Sequence, residues 1–350
     1  MKALILLASV MFSLPVWSKP TAPECSDQTL RQLYENAEGE VHLECSLIMR
    51  PDSVIRKRVL LEGKKASNVS IDCAGSRLER GMRIYSKKIT ESDGSVAWDV
   101  PTNVRVSNCV TEAITHVFGM AINGEGSELT VSSREPGHTE RVQANAPSNI
   151  HFDQFTTKTN GPIPFYFGPG VTHSSITNSR ITGFSNSVAI YLDAESGNNL
   201  IEGNIFSIER GQRELVAVDG SANNRIINNR FNSLREGGIY LYRNCGEGGN
   251  IRHQPPENNL IESNRFFYDK YTGRNPGIWL GSRDGNRNYC DYDEGYDLGS
   301  SADDGDFANN NRVINNTFVK FQRIRDDGER NLIENNRVEN PGQCFLIFCW

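Results

Sequence analysis

The sequence predicts an all-β solenoid of about nine stacked coils of short parallel strands, closed at its N-terminal end by a short helix. Three observations carry that prediction. An asparagine-rich phrase recurs as Asn199-Leu-Ile-Glu-Gly-Asn204-Ile-Phe206, Asn224-Arg-Ile-Ile-Asn-Asn229-Arg-Phe231 and Asn259-Leu-Ile-Glu-Ser-Asn264-Arg-Phe266. It returns as Asn311-Arg-Val-Ile-Asn-Asn316-Thr-Phe318 and Asn331-Leu-Ile-Glu-Asn-Asn336-Arg-Val338. A second phrase lies between the copies: Ala189-Ile-Tyr-Leu192, Leu215-Val-Ala-Val218, Gly238-Ile-Tyr-Leu241 and Gly277-Ile-Trp-Leu280. The pair recurs every 20 to 25 residues, apart from two longer intervals, which is how stacked repeats are written in a sequence.

The elements follow in order. Residues 1–18 read as a secretory leader, with Met1-Lys2 before the apolar run Ala3 to Val16 and the small Ser18 at a cleavage position. Residues 19–58 form the expected cap. Ser26 is an N-cap candidate, and Leu30, Leu33 and Tyr34 follow at helical spacing. From residue 59 to 350 the pattern is of strands. Asn68-Val-Ser-Ile71, Asn103-Val-Arg-Val106 and Asn149-Ile-His-Phe152 alternate apolar and polar residues, in register with Ile176, Ile201, Ile226, Ile261, Val313 and Ile333. Gly119-Met-Ala-Ile122 and Pro164-Phe-Tyr-Phe167 are read as early copies of the second phrase. The intervals Asn224 to Asn259 and Asn259 to Asn311 run 35 and 52 residues, placing insertions near 245–257 and 284–308 on one side of the stack.

Composition narrows the function. The chain has 350 residues and a formal net charge of −6, which argues against a nucleic-acid partner. Beyond the leader no stretch approaches the ~20 apolar residues of a membrane span. All eight cysteines lie beyond the leader, none in Cys-x-x-Cys spacing, which favours disulfides in an exported, periplasmic or secreted bacterial protein. Cys245–Cys290 is the leading pair because both fall in neighbouring insertions. Cys25–Cys45, which flanks the cap helix, Cys73–Cys109 and Cys344–Cys349 are the other expected pairs.

Over residues 60–350 the coil pattern resembles the right-handed parallel β-helix superfamily, which includes pectate lyases, polygalacturonases, alginate lyases and mannuronan C5-epimerases. The resemblance implies a polysaccharide substrate. In the stack, Asn204, Asn229, Asn264, Asn316 and Asn336 occupy one position in successive coils, where side-chain amides can hydrogen-bond along the column at about 4.8 Å spacing. Their tolerance of left-handed backbone also suits a coil corner. This is a structural ladder.

The second phrase carries the chemistry. Stacking it aligns Tyr166, Tyr191, Ala217, Tyr240, Trp279 and Arg323 as one outward column. Gly168, Asp193, Asp219, Tyr242, Gly281 and Arg325 form a second, and Glu195, Ser221, Asn244, Arg283 and Asp327 a third. Aromatic rings offer flat apolar faces to sugars, and polar groups fix hydroxyls. Tyr191, Tyr240 and Trp279 are therefore candidate substrate contacts, with Arg243, Arg283, Arg323 and Arg325 as partners for a uronate carboxylate. Asp193 and Asp219, one coil apart, disfavour joint ionisation, so that one holds a proton unless a cation such as Ca²⁺ intervenes. Asp291, Asp293, Glu294 and neighbouring acids in the 284–308 insertion read as a solvated wall with weak calcium-like spacing. His253 is the one histidine placed to reach a groove; none shows metal-ligand spacing.

The expectation is a lyase or C5-epimerase acting on an acidic, uronate-containing polysaccharide. Both reactions begin by removing the C5 proton beside the carboxylate. Asp193, Asp219, Tyr242 and Arg325 are the candidate catalytic residues. Two alternatives stay open: a glycoside hydrolase using Asp193 and Asp219 as acid and base, and a carbohydrate-binding protein without catalysis.

Overall fold

A computed structural model describes residues 22–210, 213–232, 234–244, 247–268, 275–281, 308–320 and 323–339. Three parallel sheets of ten strands each wind around one apolar interior, so the coil number is ten where the repeat count gives about nine. Each coil visits the sheets in a fixed order. The tyrosine sheet runs from Gly39–His42 to Ile324–Asp326 and carries the Gly-Ile-Tyr-Leu phrase. The isoleucine sheet runs from Leu47–Ile48 to Leu332–Glu334, and the phenylalanine sheet from Val54–Ile55 to Arg337–Glu339. The first coil thus begins at Gly39, inside the segment expected to be cap. The helix α1 (Asp27–Tyr34) forms as expected, with the Ser26 side chain accepting from the Thr29 amide at 3.2 Å and Leu33 buried.

Why these residues form coils is visible in the interior columns. Ile71, Val106, Phe152, Ile176, Ile201, Ile226, Ile261, Val313 and Ile333 are paired in register along the isoleucine sheet, as read from the sequence. Phe206, Phe231, Phe266 and Phe318 stack face to face inside the phenylalanine sheet, with centroids 4.6, 4.7 and 5.0 Å apart. The ladder asparagines are buried and bonded. Asn229 Oδ1 accepts from both the amide and the side chain of Asn204, while its own Nδ2 donates to Ile201 and Ile227 carbonyls and to Asn264. A second ladder runs through Asn199, Asn224, Asn259, Asn311 and Asn331. The left-handed corner is not at these residues but one place earlier. Asn178, Gly203, Asn228, Ser263, Asn315 and Asn335 have positive φ, so bonding and bending fall to adjacent positions.

Two expectations are corrected. Gly119–Ile122 is not a strand: the copy of the second phrase is Thr115–Phe118, paired with Phe165–Phe167. Residues beyond it leave the coil for two helices, α2 (Ser127–Ser133) and α3 (His138–Ala144), an insertion that meets the segment 247–257. In the last coil Trp279 pairs with Arg325, so Arg325 belongs to the aromatic column and Arg323 lies two residues before it. The shift arises because that coil lacks the Gly-Ile-x-Leu wording, and its first inward residue is Ile324, opposite Ile278.

Cys25–Cys45 and Cys73–Cys109 are disulfide-bonded. The expected pairs Cys245–Cys290 and Cys344–Cys349 lie outside the described residues, as do the leader 1–18, Arg283 and all of the 284–308 insertion except Ala308. Among the described residues no helix is long and apolar enough to cross a membrane.

Candidate functional site

The outward face of the tyrosine sheet brings most of the candidate residues together. Alternation along each strand sends Ile190, Leu192, Val216, Val218, Ile239 and Leu241 into the core. It sends Tyr191, Ala217 and Tyr240 to the other side, in a register that continues to Tyr166 and Trp279. The Tyr166 and Tyr191 rings stack 5.0 Å apart at an interplanar angle of 2°, and Tyr240 meets Trp279 edge-on at 5.5 Å. Just past the strands, Asp193 and Asp219 sit one coil apart.

This face is covered where the sequence reading leaves it open. Asp193 and Asp219 are 1% and 0% exposed, and Tyr242 and Arg243 are equally buried. The cover is the segment 247–257, held down by the helical insertion. Ile251 N donates to Ser133 Oγ, Asn250 Nδ2 to the Gly124 carbonyl, and His253 Nε2 lies 2.7 Å from the Ser133 carbonyl oxygen. Gln254 Nε2 donates to the carbonyls of Ser196 and Gly220 at the coil corners. Glu195, in a left-handed conformation and buried, accepts from Thr139 Oγ1 of α3 and from the His253 amide.

At the centre is Arg252, which the sequence reading did not single out. Its Nη1 donates to Asp219 Oδ2 at 2.8 Å and to Asp193 Oδ1 at 3.3 Å. A guanidinium therefore stands between the two carboxylates, where the sequence reading allows either a shared proton or a cation such as calcium. Among the described residues no group of three or more His, Cys, Asp or Glu is arranged to hold a metal. Each carboxylate has further donors. Tyr166 Oη donates to Asp193 and Tyr191 Oη to Asp219, both at 2.6 Å, and Asn244 gives Asp219 its amide and its side chain. Burial raises the Asp193 pKa above the usual carboxylate range; Arg252 opposes the shift and Asp219 adds to it. Burial, then the Asp219 charge, lifts the Tyr191 hydroxyl well above its ordinary value, and burial followed by Asp193 does the same at Tyr166.

A second cluster reaches the rim. Tyr242 Oη donates to Glu214 Oε1 at 2.8 Å and accepts from Arg213 Nη2 at 2.7 Å. Arg213 is 40% exposed and its guanidinium carbon lies 5.8 Å from the Tyr191 ring centre. Arg325, 60% exposed, lies 5.4 Å over Trp279, and both side chains bond Asp327. Arg243 is buried beneath the covering segment and donates to the Arg252 carbonyl. Arg323 precedes its strand, where its carbonyl accepts from the Gly277 and Ile278 amides, and Arg325 takes the place in the aromatic column. Sequence reasoning missed Arg213 and Glu214 because neither lies on the repeated phrase. Arg252 was hidden in an insertion whose path back over the sheet no periodicity encodes. One signal was available: the interval from Asn103 to Asn149 is 46 residues, which marks the helical insertion as the later long intervals mark theirs.

A family model described as a right handed beta helix region matches residues 138–287. The chain is folded as a right-handed parallel β-helix. PfbA, a surface adhesin of Streptococcus pneumoniae, is a structure similar to this β-helix at 13% identity, covering 90% of this chain and 73% of its own, with a TM-score of 0.44. The Dettilon tailspike protein is similar at 15% identity over 87% of this chain and 54% of its own, with a TM-score of 0.32. The periplasmic alginate epimerase AlgG is similar at 12% identity over 89% and 80%, with a TM-score of 0.29. No curated protein matches the β-helix in sequence.

Proposed function

We propose that this β-helix is an exported protein acting on an acidic, uronate-containing polysaccharide, as a lyase or C5-epimerase working on the face of its tyrosine sheet. The observation that carries the reading is the pair Arg213 and Arg325, exposed cations lying over Tyr191 and Trp279 on one aromatic column. Rings that receive a sugar face beside guanidinium groups that receive its carboxylate suit a uronate polymer. Export agrees with the two disulfides.

In this reading Arg213 and Arg325, which lie by rings three coils apart and so about 14 Å from one another, meet different uronates of one polymer. Arg213 neutralises the carboxylate of the reacting sugar, which makes the adjacent C5 proton removable and stabilises the developing enolate, and Arg325 anchors a neighbouring sugar. Tyr242, hydrogen-bonded to Arg213, is the proton-transfer group, and half-buried Trp279 is the platform, backed by the buried ring of Tyr240. Arg283 and Arg323 are further candidates for the carboxylate. Asp193 and Asp219 act from beneath as positioning residues, fixing Arg252, Tyr166 and Tyr191, while Arg243 holds the covering segment. A calcium ion, if one binds, does so away from the carboxylate pair that Arg252 bridges. A hydrolase would need the space between Asp193 and Asp219 for the glycosidic oxygen and water, and Arg252 fills it.

The burial of Tyr242, Asp193 and Asp219 favours one other reading, a carbohydrate binder without catalysis. Incubating the purified protein with alginate, pectate and other acidic glycans separates the two. Ultraviolet absorbance from unsaturated uronates marks a lyase, and a changed uronate ratio by NMR marks an epimerase. Retained affinity without either marks a binder. Arg325→Ala and Arg213→Ala should each weaken binding or turnover by about tenfold, the loss of one charge-assisted contact. If both variants match wild type on a glycan the protein acts on, the tyrosine-sheet assignment fails.

A further inference from the structure

The adjoining isoleucine sheet carries a feature that the reading above does not use. Its outward face forms a cleft of about 860 Å³, lined among others by Arg105, His151, Asp153, His173, Asn178 and Glu202. A second cleft of about 780 Å³ shares His173 and adds Lys64, Trp98 and Gln143. The common residue makes them one trough along the corner between the tyrosine and isoleucine sheets.

The residues depart from the repeat at this place. The outward column that reads Leu200, Arg225, Leu260, Arg312 and Leu332 in later coils reads Arg105, His151 and Ser175 here. The left-handed corner at the start of the isoleucine strands is asparagine at 68, 103, 149, 198, 223, 258 and 310; His173, with φ 54°, takes that place in mid-stack and Arg330, with φ 56°, in the last coil. The His173 imidazole is exposed where the two clefts meet, in a left-handed conformation that histidine, like asparagine, adopts readily.

The trough is also chemically prepared. His151 Nδ1 lies 2.9 Å from Ser175 Oγ. Burial, then the Arg105 charge, push its pKa below the ordinary value, so that the ring is uncharged at neutral pH and offers one donor and one acceptor. Asp153 Oδ1 accepts from Thr177 Oγ1 and Asn178 Nδ2, both at 2.7 Å, which fixes its second oxygen toward other donors. The lining charges balance, with Arg105 and Lys64 against Asp153 and Glu202. Trp98, half-buried, supplies a ring at one end.

We propose that this trough is a second carbohydrate site, and that its ligand is an uncharged oligosaccharide. A balanced set of cations and carboxylates has no preference for a polyanion, while alternating donors and acceptors beside an aromatic ring suit a hydroxyl-rich chain. None of the aromatic-column residues lines the trough, so its ligand and the acidic polymer proposed on the tyrosine sheet occupy separate surfaces.

Calorimetric titration of the full-length protein with neutral gluco-, manno-, galacto- and xylo-oligosaccharides, and with oligouronates, tests this. At least one neutral oligosaccharide should bind with a Kd below about 1 mM. His173→Asn, which restores the residue the corner prefers and should keep or raise Tm, is expected to weaken that binding at least tenfold, as is Asp153→Asn. Arg325→Ala on the other face should leave it unchanged. Absence of neutral-glycan binding overturns the proposal, as does binding that survives both trough variants or is displaced by oligouronates. Loss of acidic-glycan binding in Arg325→Ala alone bears only on the tyrosine sheet.

Discussion

Arg252 shows how one side chain can decide what two others do. Asp193 and Asp219 have the spacing of a proton-sharing pair, yet a buried guanidinium bonded to both makes them a clamp on the covering segment. Removing one partner of such a buried set leaves uncompensated charge, at a cost of about 3–5 kcal/mol. Arg252→Met should therefore lower stability by that order in urea unfolding, and combining it with Asp193→Asn and Asp219→Asn should recover part of the loss. A full-size effect from the triple variant would mean that the clamp matters for packing and not for charge. Nothing in the repeat could have announced this. The two aspartates were legible because they sit on the stacked phrase; their partner comes from an insertion, where spacing carries no register.

His138 gives the residue scale its pH dependence. Burial, with His253 and Arg141 nearby, pushes its pKa down to about 3, against about 6.5 in an unfolded chain. Between those values the unfolded state binds more protons, so stability is full above about pH 6.5 and falls as pH drops toward 3. The slope contributed by this one group approaches about 1.4 kcal/mol per pH unit. Buried Asp193 and Glu195, with raised values, contribute the opposite slope, their share being lost as pH rises from the unfolded carboxylate range. Comparing wild type with His138→Gln across pH 4–7 isolates the histidine. The variant should show a flatter loss on acidification, and parallel curves would contradict the assignment.

At the scale of the element, the coil corner divides two tasks that the sequence reading gave to one residue. Asn229 bonds and Asn228 bends. Asn229→Ala removes the acceptor of the buried Asn204 amide and should cost about 1–3 kcal/mol. Asn228→Gly keeps the left-handed conformation without a Cβ penalty and should change stability by less than about 0.5 kcal/mol. The doublet Asn228-Asn229 alone could not tell them apart, because both tasks favour asparagine. The other corners could: Gly203 and Ser263 replace the bending residue, while the bonding place keeps its amide at Asn204 and Asn264.

Across the whole molecule, the fold was legible because a solenoid writes each packing contact into the period of the chain. The interior columns from Ile71 to Ile333 and the α1 cap could be placed without coordinates. The site was legible only on that lattice, and what covers it depends on non-repeating segments at 119–147 and 247–257. The two disulfides among the described residues lie within 25–109, at the end where the repeat is least regular. Each should contribute on the order of 3–4 kcal/mol by restricting the unfolded chain. Reduction should therefore loosen the first coils before the rest. Hydrogen exchange under reductant is expected to lose protection over residues 39–111 while the Asn204–Asn316 coils keep theirs; uniform loss would show a single cooperative unit.

The stacked phenylalanines keep time by contact and not by residue count. From Phe206 to Phe231 the chain takes 25 residues, to Phe266 a further 35 and to Phe318 a further 52, yet the rings meet at nearly constant spacing. Each turn is thus a socket that returns the chain to its mark whatever excursion is plugged into it. A foreign loop spliced at the exit of a tyrosine-sheet strand should leave the downstream coils undisturbed, so the scaffold can exchange recognition cassettes while its spine stays fixed.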